Sequence, residues 1–187
     1  MKRILLSLVL FAGIGYASLF AWEAEDLMKF PPCMDKSSWI LNLGVGFHGY
    51  GLAYLGRNDF FWIPPVRLSF DKNVALGDNG LPFFFGGLVS YSGYGWKKHY
   101  FRHRIGAAFR CGYHFNWDVD RLDTYAVTNF GANIHFSDDD FMPNPLEWVN
   151  IGINIGARYF VTDWFGFWAE AGVGSYYSVD IGIAFKF

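Results

Sequence analysis

Tyr177-Ser178-Val179-Asp180-Ile181-Gly182-Ile183-Ala184-Phe185-Lys186-Phe187 closes the chain. Successive side chains of an extended strand point to opposite sides, so Tyr177, Val179, Ile181, Ile183, Phe185 and Phe187 share one face. Asp180 stands on the other, beside Gly182 and Ala184. A bulky apolar face backed by a face of small residues and a carboxylate predicts a strand over 176–187 with different surroundings on its two sides.

The pattern continues upstream. Val149, Ile151, Ile153, Ile155, Ala157, Tyr159 and Val161 oppose Asn150, Gly152, Asn154, Gly156 and Arg158, which predicts a strand over 148–161. Thr162-Asp163 makes a hairpin into a strand over 164–173, where Phe165, Phe167, Ala169, Ala171 and Val173 oppose Gly166, Trp168, Glu170 and Gly172. Further back, the same alternation marks strands over about 38–49, 63–76, 81–92, 100–115 and 122–136. Their polar faces carry Arg67, Ser69, Asp71 and Asn73, then Arg102, Arg104, Arg110 and His114, then Asp123, Asn129, Asn133 and His135. Turn clusters such as Gly77-Asp78-Asn79-Gly80 separate them. The reading therefore predicts eight strands.

Composition says what surrounds them. Hydrophobic types make up 52% of the 187 residues, charged types 17% and aromatics 21%. Yet beyond the N-terminus no apolar run reaches the roughly 18 residues of a transmembrane helix. A closed barrel is the other way to place apolar surface in lipid with every backbone group paired. A soluble barrel or sandwich also alternates, but it buries its bulk and shows charge outside. Here the aliphatic bulk lies on one face and Gly, Ser, Asn and charge on the other, leaving little charge to solvate an exterior. The formal net charge of -2 becomes -4 when Lys2 and Arg3 are removed, with 13 basic against 17 acidic residues, which argues against nucleic acid as a partner.

Lys2-Arg3, the apolar stretch Ile4–Ile14 and the small-x-small Gly15-Tyr16-Ala17 form an export signal. Residues 1–21 are expected to be removed, with cleavage after Ala17 or Ala21. Residues 22–37 would form a periplasmic segment, a short helix or tail, and 38–187 the barrel. An even strand number puts both termini on the periplasmic side with the short turns 77–80, 116–121 and 162–163; 50–62, 93–99, 137–147 and 174–175 then lie outside. Cys33 precedes the first strand, without a lipobox, and Cys111 falls among lipid-facing residues, so a disulfide between them is not expected.

The last strand, with Tyr177, Phe185 and Phe187 on its apolar face, resembles the C-terminal β-signal by which outer-membrane barrels are recognised by their assembly machinery. The stretch Gly152 to Phe187, containing Gly156-Ala157-Arg158-Tyr159-Phe160-Val161-Thr162-Asp163 and Ala169-Glu170-Ala171-Gly172, looks like the end of the small outer-membrane β-barrel family that includes the OmpA, OmpX and OmpW types. The pattern covers most of 38–187. The resemblance implies an all-β fold: an eight-stranded antiparallel transmembrane up-and-down β-barrel behind a cleavable signal peptide, without a peptidoglycan-binding domain. It also implies residence in the cell outer membrane, contact with outer-membrane lipid, the assembly machinery as a partner during biogenesis, and a monomer.

An eight-stranded barrel is filled by its own inward side chains. Folding about Gly174-Ser175 sets Glu170 opposite Asp180, both inward, and adjacent carboxylates need cations. Arg110 and Arg158 point inward at comparable distances from their turns, so Arg110, Arg158, Glu170 and Asp180 are read as a lumen charge cluster, with Arg158 holding the two carboxylates together. Trp62, Trp96, Trp148 and Trp164 lie at strand ends, as an aromatic girdle requires.

Two motifs suggest chemistry. His135-Phe136-Ser137 has the His-x-Ser spacing of the lipid A deacylase family, where a His activates a neighbouring Ser. His135 falls on the lumen face, however, and Asp138-Asp139-Asp140 replaces an Asn-rich continuation. His99 and His103 share one face but lack a third ligand nearby. No catalytic residue, metal or cofactor is expected. The expected function is a non-enzymatic integral outer-membrane barrel, either a surface-exposed structural or interaction protein or an OmpW-like conduit for small hydrophobic molecules. The alternative is a deacylase-like enzyme acting on lipid A.

Overall fold

The computed structural model describes residues 28–48, 59–96, 100–137, 148–174 and 178–187. Alternation produces the strands β1 (Trp39–His48), β2 (Phe60–Leu76), β3 (Leu81–Trp96), β4 (Tyr100–Phe115), β5 (Leu122–Ser137), β6 (Val149–Phe160), β7 (Phe165–Gly174) and β8 (Ser178–Lys186). Each pairs antiparallel with its neighbour in sequence, and β8 pairs with β1 to close the barrel. The seam continues one residue further: Trp39 N–H donates to Phe187 O at 3.0 Å and Phe187 N–H to Trp39 O at 2.9 Å. Closure gives every strand a partner on each side, the condition for standing in hydrocarbon.

The strands are staggered. Following the pairing from Gly174 through Gly152, Asn129, Arg110, Gly86, Asp71 and Ile40 leads to Lys186, at the opposite end of the strand next to the starting point. Such a stagger means tilted strands, so residues facing each other across the lumen are not those paired in any one hairpin.

Two strands run further than the alternation predicts. β2 begins at Phe60 rather than Ile63, and β3 continues to Trp96 rather than Ser92. Pro64-Pro65 offers no N–H and reads as a strand end. The chain instead absorbs both prolines in a register shift between Ile63 and Val66, and pairing resumes with Ile63 opposite Gly93. β6 and β7 are joined through 161–164, where Phe165 N–H donates to Thr162 Oγ1 at 3.0 Å.

The described part of 22–37 is neither a helix nor a free tail. From Met28 it runs in turns, with Met34 N–H donating to Pro31 O at 2.8 Å and Ser38 N–H to Asp35 O at 3.1 Å. It tucks into the end of the barrel that holds the short turns. Met34 packs there with Ile40, Phe160, Trp168 and Ala184, flanked by Phe30 and Cys33. Lys186 Nζ donates to Cys33 O at 2.7 Å, Asn73 Nδ2 donates to Asp35 O at 2.9 Å, and Lys72 Nζ donates to Ser37 O. The apolar residues Phe30 and Met34 explain this placement: left in water they would be exposed bulk, whereas the turn end of the lumen offers an apolar floor. The expected leader, with both cleavage positions, lies outside the described residues.

Candidate functional site

The two surfaces of the wall differ as their chemistry dictates. Outward, Phe109, Phe130, Ile134, Ile153 and Val179 each expose half or more of their surface. Inward, Asn42, Arg67, Ser69, Asp71, Arg110, His114, Asp123, Asn154, Arg158, Glu170 and Asp180 are buried. An apolar exterior around a closed polar interior is the arrangement of a membrane-spanning barrel of the outer-membrane type, and it inverts that of a soluble one.

The buried inward charges form one chain of alternating sign. Near the loop end Asp180 accepts from Arg67 Nη1 at 2.7 Å, and Arg67 Nη2 reaches Glu170 at 2.5 Å. Glu170 accepts from Arg110 Nη2 at 2.9 Å, and Arg110 Nε donates to Asp71 at 3.0 Å. Asp71 then accepts from Arg158 Nη2 at 3.0 Å, and Arg158 Nη1 donates to Asp123 at 2.6 Å. His114 Nδ1 lies 2.6 Å from Asp123, and its Nε2 lies 3.0 Å from Asn73 Oδ1. Asn73 is the residue that holds Asp35 of the N-terminal segment, so the chain crosses the lumen and is tied to the floor beneath it.

Neutral donors satisfy the remaining acceptor sites of the carboxylates, while Arg67 Nε has no hydrogen-bond partner among the described residues. Glu170 also accepts from Tyr125 Oη at 2.9 Å and Asn154 Nδ2 at 2.8 Å. Asn42 receives Arg158 Nε at 3.0 Å and donates to Ser69 Oγ at 2.9 Å. The Arg158 guanidinium stacks 4.1 Å from the Tyr125 ring centre and 5.7 Å from that of Phe84. Buried charge is tolerated only when paired and hydrogen-bonded in this way. Aromatic rings then occupy much of the remaining width, with Phe84, Tyr125, Phe160 and Trp168 all buried.

The structure places Arg110, Arg158, Glu170 and Asp180 in this chain but pairs them differently from the sequence-based expectation. Glu170 does stand opposite Asp180. The cation between them is Arg67 from β2, and Arg158 instead joins Asp71 to Asp123. Arg67 reaches across β1 because β1 is glycine there: a Cβ on Gly46 would run into the Asp180 carboxylate, and one on Gly44 into Trp168 and the Ile181 carbonyl. Arg67, Asp71, His114 and Asp123 all show in the sequence as inward residues. Their partners depend on the stagger, which no single hairpin reveals.

Phe185 and Phe187 of the expected assembly signal lie at the barrel seam, Phe187 largely exposed on its outward side; Tyr177 lies outside the described residues. Trp164 stands outward at the turn end, stacked on Phe185 at 6.1 Å, with Trp39 stacked on Phe70 at 4.8 Å. The expected girdle is otherwise corrected. Trp62 pairs with Tyr94 and, like Trp96, lies on the inward face of β2–β3, and the Trp148 ring meets His135 at 5.8 Å over the lumen rim. A strand-end position does not decide a face; register does.

His135 and Ser137 lie on the inward face of β5, while Phe136 between them is exposed. His103 faces outward and its Nδ1 is 2.7 Å from Tyr91 Oη, while His99 lies outside the described residues. Among the described residues no group of three His, Cys, Asp or Glu side chains is placed to hold a metal ion. Cys33 and Cys111 are free thiols. Burial pushes the Cys33 thiol up to about 12, with Asp123 adding to the effect.

No protein-family model matches the chain, and no curated protein matches it in sequence. Among solved structures it is similar to the outer membrane protein OprG of Pseudomonas aeruginosa, with 10% identity, a TM-score of 0.47, and coverage of 81% of this chain and 96% of that one. It is also similar to the outer membrane protein Ail of Yersinia pestis, with 9% identity, a TM-score of 0.43, and coverage of 81% and 99%. A designed transmembrane β-barrel has 16% identity, a TM-score of 0.45, and coverage of 82% and 98%. At this degree of likeness the architecture rests on the chain's own strand pairing.

Proposed function

We propose that this is a non-enzymatic outer-membrane barrel, closed along its axis, that works as a structural or interaction protein through the surface it presents at its loop end. The supporting observation is the lumen: an unbroken chain from Asp180 to His114, joined through Asn73 to a segment that fills the turn end with Met34 and Phe30. A solute moving along the axis would have to separate ion pairs that are buried, and a buried charge left without its partner is strongly unfavourable. The OmpW-like conduit left open by the sequence fits less well, since a small hydrophobic molecule would have to cross this charged section.

Reconstitution in planar bilayers tests the reading. The expected trace is a flat baseline without steady openings in concentrated salt. Persistent ohmic conductance from the unmodified protein would defeat it. The deacylase-like alternative would place catalysis on His135 and Ser137, which stand on the polar inner wall. His135→Ala and Ser137→Ala are therefore expected to leave lipid A acylation unchanged in cells producing the protein; loss of an acyl-chain change in either variant would establish the enzyme.

A further inference from the structure

The barrel wall has two heights. β3 and β4 have 16 residues each and pair up to Trp96 opposite Tyr100, whereas β7 and β8 have 10 and 9 and are linked by only three residues, 175–177. At about 3.3 Å per residue and a tilt of about 40°, the short side stands about 24 Å high, close to the hydrocarbon band of outer-membrane barrels. The long side rises roughly 15 Å further at the loop end.

A wall emerging from the membrane should turn polar on its outer face. This one does not. Phe61 on β2 and Ile134 and Phe136 on β5 expose 47%, 51% and 52% of their surface at the top of the long side. Phe101 lies between them, its ring 5.6 Å from Phe61 and 4.4 Å from His103, which pairs in register with Phe136. Below, the patch runs through Ile105 into Phe109 and Phe130 of the lipid-facing band. Asp59 is exposed just before β2 begins, above Phe61; within the strands there, the described titratable side chains facing outward are His103 and Tyr91, which satisfy each other at 2.7 Å. Such pairing is how a polar group is accommodated at a lipid boundary rather than in water.

We infer that the outer face of the β2–β5 extension is a lipid-binding surface, seated among acyl chains of the outer leaflet, so that the barrel axis is inclined toward that side. The inference rests on the outer-membrane reading and adds to it a direction. An upright barrel would leave a contiguous apolar patch in water, which soluble surfaces avoid. Inclination lowers the tall side into the leaflet and brings the loop end of the short side toward the headgroup level. Hydrophobic mismatch is relieved by tilt at modest cost in other membrane spans, and here the mismatch is built into one side of the wall.

Nitroxide labels at single cysteines test this in a Cys33→Ser, Cys111→Ser background reconstituted in phospholipid vesicles, each variant first shown to fold by its heat-dependent gel mobility. Phe109→Cys and Val179→Cys report the band on the long and short sides; Phe61→Cys and Phe136→Cys report the patch. The expected result is that oxygen accessibility exceeds that of a polar nickel chelate at 61 and 136, as it does at 109. Labels at 61 and 136 open to the nickel chelate while 109 and 179 are in lipid would overturn the inference alone. Labels at 61 and 136 shielded from both reagents would also overturn it, by showing a protein partner or second copy on the patch. Labels at 109 and 179 open to the chelate would overturn the membrane reading beneath it.

Discussion

Arg67 is the side chain on which the loop end of the charge chain depends, since it faces both Glu170 and Asp180. Its guanidinium also lies 5.7 Å from the Trp168 ring centre. Arg67→Ala leaves two neighbouring carboxylates with one cation, Arg110, on Glu170. Loss of one partner from a buried pair typically costs about 3 to 5 kcal/mol, less where water enters. The folded band of Arg67→Ala should therefore convert to the unfolded one at lower temperature, and Asp180→Asn added to it should recover part of the loss. Arg158→Ala acts elsewhere: it takes one partner each from Asp71, which keeps Arg110, and Asp123, which keeps His114, so Asp123→Asn should be its partial rescuer and Glu170→Gln should not. If Glu170→Gln rescues Arg158→Ala and Asp180→Asn fails to rescue Arg67→Ala, the pairing described above is wrong. The opposition of Glu170 and Asp180 was legible because both lie in one hairpin, whose register follows from its turn. Arg67 was not, because it arrives from two strands away over Gly44 and Gly46, and that reach is set by the stagger of the whole barrel.

At the scale of elements, the strands were legible and the segment before them was not. Two-residue alternation fixes which face is apolar along every strand, and it misses only where chemistry breaks the pattern, as at Pro64-Pro65 in β2 and the glycines Gly93 and Gly95 in β3. Residues 28–38 have no period at all, and their role appears only once the floor of Ile40, Phe160 and Trp168 exists for Met34 to cover. Thiol chemistry at Cys33 reports on that cover. The thiolate is the nucleophile, and a thiol pushed from 9.0 up to about 12 stays protonated at ordinary pH. Cys33 should therefore resist alkylation in the folded barrel near pH 8 and react once the protein is unfolded. Its neutral form also favours the folded state: that contribution is complete below about pH 9 and declines as pH rises toward 12. Met34→Ala removes a buried Met, a change that costs about 2 to 5 kcal/mol in a packed core. It should speed Cys33 alkylation in the folded protein by loosening the segment. Equal alkylation rates for parent and variant would show that Met34 does not hold the segment in place.

For the molecule as a whole, the same residues serve two solvents. The outward aromatic and aliphatic side chains favour hydrocarbon and the inward ions face one another, so the folded barrel is expected to need lipid or detergent around it. That coupling is why alternation and composition together sufficed for the fold, while cross-lumen partners and the unequal wall heights needed the three-dimensional register. The most direct measurement of the central claim is refolding of the chain without residues 1–21 into phospholipid vesicles, followed by gel electrophoresis of unheated and boiled samples with and without trypsin. A closed membrane-spanning barrel predicts a faster-running unheated band that is protected from trypsin across the strands and is recovered with the vesicles. An unheated band that runs like the boiled one, or a protein that remains folded and soluble after the vesicles are removed, would contradict it.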